Sequence, residues 1–154
     1  MANISAITDR EIALVSRFIA LLKEEQVVLQ RADASALSEI SEAKAGLVEQ
    51  LNALELERRS ALGSPADQNT RAAMAEWLTK NPQQQTVAVN WKKLLELAAE
   101  AKELHELNGT LLATHLNQTA EALAALTWRA EKTTLYGSDG QTAQRTGSRI
   151  VDSA

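Results

Sequence analysis

The sequence predicts an all-α fold, a long antiparallel helical hairpin of the coiled-coil type with a short connecting helix and a flexible C-terminal tail. Leucine and alanine dominate a chain that is 45% hydrophobic but only 3% aromatic and has two prolines, which favours helices over a β-sandwich or an α/β fold. Apolar residues recur every three or four positions, the spacing of a helix packed along another helix. Two such segments of about 54 residues flank a short connector, and arms of equal length fold back on each other.

We predict one hairpin domain at residues 1–136, with arms near 8–62 and 82–135 and a short helix near 65–80. Residues 137–154 form a tail that is too polar and glycine-rich to order itself. In an antiparallel pairing of the arms, residues 12–29 lie against about 117–132. A two-helix hairpin buries little surface for its size, so we expect self-association or a partner.

The first arm carries start signals at Thr8, which forms a capping box with Glu11. The segment 33–36 then interrupts the apolar seam, either as a four-residue stutter or as a true break with Asp33 capping a new helix. Gly63 is expected to end the arm. Three seam positions are polar, a feature that sets register in coiled coils. The seam residues are Ile12, Val15, Ile19, Leu22, Gln26 and Leu29, then Leu37, Ile40, Lys44, Leu47, Leu51, Leu54, Arg58 and Ala61.

The connector is amphipathic and carries Met74, Trp77 and Leu78, and we interpret it as a cap over the open end of the hairpin. Asn81 and Pro82 predict the start of the second arm, because asparagine caps helices and proline is tolerated in the first turn.

Charges are distributed unevenly along the second arm. Seven charged side chains lie between residues 91 and 106, whereas Glu121 is the only one between residues 107 and 128. A helix that buries a single stripe keeps charges on its outer face, so the second half is suited to be covered on more than one side. The seam is ambiguous here, since either Leu111 or Leu112 continues it. We expect some of its leucines to be exposed in the isolated protein, or covered by another copy or the tail, namely Leu112, Leu116, Leu123 and Leu126.

Composition excludes several classes of protein. A net charge of −4 has the wrong sign for a nucleic-acid partner. Without cysteine the chain has no disulfide, no thiolate chemistry and no cysteine-based zinc site. The amino terminus lacks the features of a signal peptide and no apolar run approaches 18 residues, so we expect a cytoplasmic protein without membrane insertion.

No catalytic, cofactor or metal constellation is recognisable, and we predict a protein that is not an enzyme and needs no cofactor. His105 and Glu106 begin a zinc-protease motif, but Gly109 stands where the second histidine must be. His105 and His115 lie about 15 Å apart along a helix and cannot share a metal. Gly109 within a helix costs up to ~1 kcal/mol relative to alanine. The glycine is explained by close approach of another helix, by a mild kink, or by a contact of Asn108 and Gly109 with a partner.

Three blocks of sequence resemble one known family, the FlgN-type flagellar export chaperones. The segment Thr-Thr-Leu-Tyr-Gly-Ser-Asp-Gly-Gln-Thr at 133–142 resembles the family's tail motif. Residues 42–47, with the leucines and arginines that follow, resemble its first-helix block, and residues 107–112 resemble its Asn-Gly block. The resemblance extends from about residue 22 to 142, although residues 63–90 match nothing in the family's pattern.

This resemblance implies a cytosolic chaperone of type III flagellar export. Such a protein holds hook-associated proteins, which form the hook–filament junction, soluble and delivers them to the export gate. The family's binding region for these clients corresponds here to Asn108, Gly109, Leu111, Leu112, Leu116, Leu123 and Leu126.

Docking to the cytosolic domain of the export gate corresponds to the tail motif, with Tyr136, Gly137, Asp139 and Gly140. From the sequence alone, Tyr136 is either a core residue or a docking anchor. The alternative for the whole protein is a homo-oligomeric structural coiled coil without a client, in which the uncharged half of the second arm is only a self-association seam.

Overall fold

A computed structural model contains four α-helices: α1 (Ile4–Gln30), α2 (Ala34–Leu62), α3 (Thr70–Lys80) and α4 (Gln85–Leu135). The structure describes residues 3–63 and 69–135, with side chains up to Thr127, and these ranges contain no strand. The predicted all-α class with a hairpin and a short connecting helix is confirmed. The chain divides into two compact units, one ending at Leu111 and one beginning at Leu112. The predicted domain 1–136 spans this boundary, and the predicted tail lies outside the described residues.

Helix α1 begins earlier than the capping box at Thr8 predicts. Asn3 is the N-cap residue, and its side-chain oxygen accepts a hydrogen bond of 3.0 Å from the Ser5 backbone N–H. Thr8 is fully buried inside the helix, where its hydroxyl donates to the Ile4 and Ser5 carbonyls. The predicted box is wrong because Glu11, its second member, pairs with Arg58 of α2 instead.

The interruption near residue 33 is a true break rather than a stutter. Ala32 adopts a left-handed backbone conformation with φ of 54°, and the N–H of Asp33 donates to the Val28 carbonyl, which closes the end of α1. Asp33 has extended backbone angles and is the N-cap residue of α2. A hydrogen bond from the Ser35 hydroxyl lowers the pKa of the Asp33 carboxyl.

Helices α1 and α2 form the antiparallel hairpin. Glu25 near the end of α1 pairs with Lys44 near the start of α2, and Glu11 near the start of α1 pairs with Arg58 near the end of α2. Two of the predicted polar seam residues, Lys44 and Arg58, therefore set the register between the two helices, as polar seam residues do in coiled coils. Gly63 ends α2 in a left-handed conformation, as predicted.

The second arm begins three residues after Pro82. Asn81 ends α3 rather than capping the start of α4, and its side-chain amide donates to the Trp77 carbonyl at 2.8 Å. A turn closed by the Gln84 N–H and the Asn81 carbonyl precedes α4.

The first part of α4 lies along α1 and runs in the same direction. Asn90 donates to Thr8 and Asp9, and Asn108 donates to the Leu22 carbonyl and to Glu25. The predicted pairing of residues 12–29 with 117–132 is therefore wrong. The break at residue 32 reverses the chain one helix earlier than the pairing assumed, so α4 returns parallel to α1.

The core of the first unit lies where the start of α1, the end of α2, α3 and the start of α4 meet. Met74 of α3 is fully buried there, and Trp77 and Leu78 pack against the same cluster, so the connector covers one end of the helices. The buried residues of this cluster are Ile4, Val15, Ile19, Met74, Val87, Trp91 and Leu94.

Candidate functional site

The weakly charged segment of α4 exposes a row of leucines. Leu112 is 42% exposed, and Leu116, Leu123 and Leu126 are 58 to 62% exposed, as the charge distribution predicts. Single exposed apolar residues are common on protein surfaces, but a contiguous row is typical of an interaction site. We call Leu112, Leu116, Leu123 and Leu126 the leucine face.

The leucine face is one side of the helix. Its members are separated by four, seven and three residues, and at 100° per residue they fall within about 40° of a common line. Glu121 lies nine residues after Leu112, about 180° around the helix from it. The single carboxylate of this segment is therefore on the opposite side and leaves the leucine face free of charge.

At Asn108 and Leu111, the N-terminal end of the predicted binding region is less exposed than the leucine face. Asn108 is only 3% exposed, and its side-chain amide is already bonded to the Leu22 carbonyl and the Glu25 carboxylate of α1. Leu111 is half-buried. Leu107, which was not among the binding residues predicted from the sequence, is 45% exposed.

Gly109 is exposed, and apart from its chain neighbours and the adjoining backbone of its own helix, no atom of the described residues lies within 4 Å of the position that a Cβ would occupy there. Close approach of another of the described helices therefore does not explain this glycine. The position of a Cβ at Gly46 of α2 is likewise free of neighbouring atoms within 4 Å. A side chain at either position has open space around it.

Asn108 belongs to a polar cluster that was not predicted from the sequence. Lys44 Nζ lies 3.1 and 2.9 Å from the two carboxylate oxygens of Glu25, and Asn108 Nδ2 lies 2.9 Å from one of them. The cluster thus joins α1, α2 and α4. Lys44 and Asn108 were recognisable as polar or small residues in apolar seams, but only the packing of the helices shows that they share one carboxylate.

A second buried ion pair lies nearer the start of α1. The Arg58 guanidinium contacts Glu11 with nitrogen–oxygen distances of 3.2 to 3.3 Å and stacks 4.9 Å from the centroid of the Trp91 ring. Burial raises the pKa of the Glu11 carboxyl above its usual value, and the positive charge of Arg58 opposes that shift. This pair is enclosed by packed side chains, so we assign it to the stability of the first unit.

Neither a metal site nor a membrane span occurs in the part of the chain that the structure describes. Within it, no group of three or more histidine, aspartate or glutamate side chains is placed to hold a metal ion. None of its helices combines the length and the apolar character needed to cross a membrane. The residues predicted to dock the export gate, Tyr136, Gly137, Asp139 and Gly140, lie outside the described residues.

A family model and several known proteins that are similar to this chain all carry the same family name. A family model described as FlgN protein matches residues 1–144. The chain is 28% identical to the Flagella synthesis protein FlgN of Salmonella typhimurium over an alignment of 154 residues, which covers 97% of this chain and 99% of that protein. The protein of that name from Proteus mirabilis is 44% identical over 55 residues, 36% of each chain. No solved structure matches the chain significantly.

Proposed function

This chain belongs to the FlgN protein family, and from that premise we propose that it is a cytosolic chaperone of type III flagellar export. In this role it binds hook-associated proteins as clients, keeps them soluble and delivers them to the export gate. The names of its relatives, flagella synthesis proteins, support a flagellar role. The observation that carries the proposal is the exposed and uncharged leucine face of α4.

The leucine face offers a limited amount of binding energy. Fully burying a leucine is worth about 2 kcal/mol, so four leucines that retain about half of their exposure offer roughly 4 kcal/mol. Association itself costs about 4 kcal/mol or more. The leucines therefore cannot hold a client alone. The client must also cover the small residues beside them, such as Thr119 and Ala122, and bring an apolar face of its own.

The spacing of the face favours a helical client segment. The same three-four spacing in the first half of α4 packs against helix α1, with Leu94 and Asn108 buried. A helix with its own apolar stripe fits the continuation of that pattern. Because Glu121 is on the far side, client binding does not depend on ion pairs with this face, and its affinity changes little with salt concentration.

Delivery requires a second contact, which we place at Tyr136 with Gly137, Asp139 and Gly140. The resemblance of this segment to the tail motif of the family supports the assignment. A tyrosine supplies a large apolar ring and a hydroxyl at low entropic cost, and such aromatic anchors are often worth about 2 kcal/mol or more when buried in a partner's pocket.

The first prediction tests client binding directly. Changing Leu116 and Leu123 together to glutamate puts two charges on the leucine face, and burying them against an apolar client helix is costly. We expect the affinity for purified hook-associated proteins from the same bacterium to fall at least 100-fold by calorimetry. Both side chains are exposed, so the melting temperature of the free chaperone should stay within a few degrees.

A matched control places the same charges on the residues that directly follow Leu116 and Leu123 in the sequence. Asn117→Glu with Ala124→Glu adds the same two charges at the same spacing of seven, on exposed residues about 100° around the helix. This variant should bind clients like the parent. If the leucine variant also binds like the parent, the leucine face is not the client site. If instead the parent binds no client and sediments as an oligomer that the leucine variant disrupts, the structural coiled coil is the correct alternative.

A further inference from the structure

Asn108 is an unexpected residue for its position. It continues a seam whose earlier members are all apolar, namely Trp91, Leu94, Leu97, Ala101 and Leu104. It is 3% exposed, and its Oδ1 is buried without a hydrogen-bond partner among the described residues. An unsatisfied buried carbonyl oxygen costs about 1–3 kcal/mol, so leucine would give a more stable seam. A role other than stability is therefore expected of this side chain.

The buried core fixes the rotation of α4 as far as Leu94, but hydrophobic packing alone does not fix its local rotation 14 residues further on, at Asn108. Leu104, Leu107 and Leu111 lie about 40°, 100° and 60° to one side of Asn108, and Leu112 lies about 40° to the other. A rotation of roughly 65° would bring the first group to the place that Asn108 occupies. Two apolar faces thus compete for the same neighbour, which is why either Leu111 or Leu112 could continue the seam.

The hydrogen bonds of Asn108 favour the observed rotation of α4 over the rotated setting, in which leucines would take its place. Its Nδ2 donates to the Leu22 carbonyl at 2.8 Å and to Glu25 Oε1 at 2.9 Å. Glu25 is itself held by Lys44 of α2, so the acceptors cannot follow a rotating helix. In the rotated setting, leucines would face these acceptors and could donate nothing to them. A buried asparagine is known to select one arrangement in coiled coils at a cost in stability.

We propose that Asn108, held by Glu25 and Lys44, is a positioning residue that fixes the rotation of this part of α4 and so decides whether Leu107 and Leu111 face the client or α1. With Asn108 facing α1, Leu107 is exposed and Leu111 is half-buried. Without it, α4 also populates the setting in which Leu107 and Leu111 face α1. The effect on client binding rests on the proposed function. The effect on the rotation of α4 does not, and it can be measured without a client.

The test is Asn108→Leu in the full chain, read out by cysteine reactivity. The parent has no cysteine, so Leu107→Cys provides a single thiol at a position that is 45% exposed. In the Asn108→Leu background we expect the rate of maleimide labelling at this thiol to fall at least threefold. The melting temperature should be unchanged or higher, and client affinity should fall at least fivefold.

Asn90→Leu is the matched control, because Asn90 also bonds α4 to α1 but at the far end of the contact. In this variant the labelling rate of the thiol introduced at position 107 and the client affinity should both stay at parental values. Equal labelling rates in Leu107→Cys with and without Asn108→Leu would overturn the proposal, as would a fall that occurs only when Asn90→Leu is added to Leu107→Cys.

The two proposals fail in different ways. Altered labelling of the introduced thiol together with no client binding by the parent would remove the proposed function and keep the positioning role. Client binding that is lost in the Leu116 and Leu123 variant but unaffected by Asn108→Leu would keep the function and remove the positioning role.

Discussion

The buried ion pair of Glu11 and Arg58 illustrates what single residues contribute to this fold. The two side chains are 3% and 5% exposed, and bringing both charges out of water costs several kcal/mol. Their contacts recover much of this cost, although Arg58 Nη1 has no hydrogen-bond partner within the described part of the chain. Such a pair adds little net stability, yet removing one partner is expected to cost about 3–5 kcal/mol because a buried charge is left alone.

The raised pKa of Glu11 predicts a pH dependence of stability. Between its ordinary value of 4.5 and the raised value, the folded protein binds more protons than the unfolded chain. The free energy of unfolding contributed by Glu11 therefore falls as pH rises through this window and is largest below 4.5.

Urea unfolding of the parent and of Glu11→Gln at several pH values checks this prediction. Arginine stays protonated across this range, so the unpaired Arg58 of the variant adds a constant offset. The parent should lose stability relative to the variant as pH rises from 4.5 towards neutrality. A relative gain would mean that the charge of Arg58 outweighs burial and that the folded pKa is lowered.

At the scale of helices, the turn between α1 and α2 decides the architecture of the first unit. Ala32 takes a left-handed conformation that disfavours residues with a Cβ by about 1–2 kcal/mol. Glycine, the residue that usually marks such a helix end, stands instead at Gly63, where the end of α2 was predicted correctly. The α1–α2 turn is therefore held by the packing of the two helices rather than by local preference, since the Asp33 side chain makes no capping hydrogen bond to the backbone of α2.

Replacing Ala32 with glycine should relieve this strain. The gain is partly offset because glycine makes the unfolded chain more flexible, so we expect the protein to become more stable by up to about 1 kcal/mol. The same change at Ala45, an exposed position inside α2, should destabilise by about 1 kcal/mol. Thermal or urea unfolding of the two variants measures both values, and a loss of stability in Ala32→Gly would show that Ala32 is not strained.

At the scale of the whole molecule, stability and partner binding are assigned to different parts of the chain. The buried aliphatic and aromatic core extends from Ile4 to Leu94, whereas the leucine face follows Leu111 and the proposed gate-docking residues follow Leu135. The leucine face, which is proposed to bind the client, can therefore change without loss of the described core. This arrangement suits a chaperone that must hold a client and dock elsewhere at the same time.

The division predicts that holding and delivering a client can be separated by one substitution. If Tyr136 is a docking anchor rather than a core residue, Tyr136→Ala should keep the melting temperature and the client affinity of the parent. Loss of a buried aromatic anchor should weaken binding to the cytosolic domain of the export gate at least 30-fold, which corresponds to about 2 kcal/mol.

Calorimetry with client present measures that affinity. A large fall in melting temperature would identify Tyr136 as a core residue instead, and an unchanged affinity for the gate would remove the docking role.

The sequence by itself determined which face of α1 and α2 is buried and which part of the chain lacks charge. Leu22, Leu47 and Leu54 were assigned to seams from spacing alone and are buried, because a period of three and four specifies one side of a helix. The exposure of Leu116 and Leu123 followed from the missing charges around them. These properties are local, since each depends on residues within a few turns of the same helix.

Only the tertiary structure decided which helices are partners. Spacing specifies a face but carries no information about what covers it, so the segment of α4 predicted to lie against α1, and its direction, were wrong. The helix break at Ala32 has no glycine that would predict it from the sequence. The left-handed conformation of Ala32 is stable because α2 packs back on α1. From the sequence Asn108 is a small seam residue or a partner contact, and its role becomes visible only when Leu22, Glu25 and Lys44 are brought around it from helices distant in sequence. Such contacts depend on the path of the whole chain, which no local pattern records.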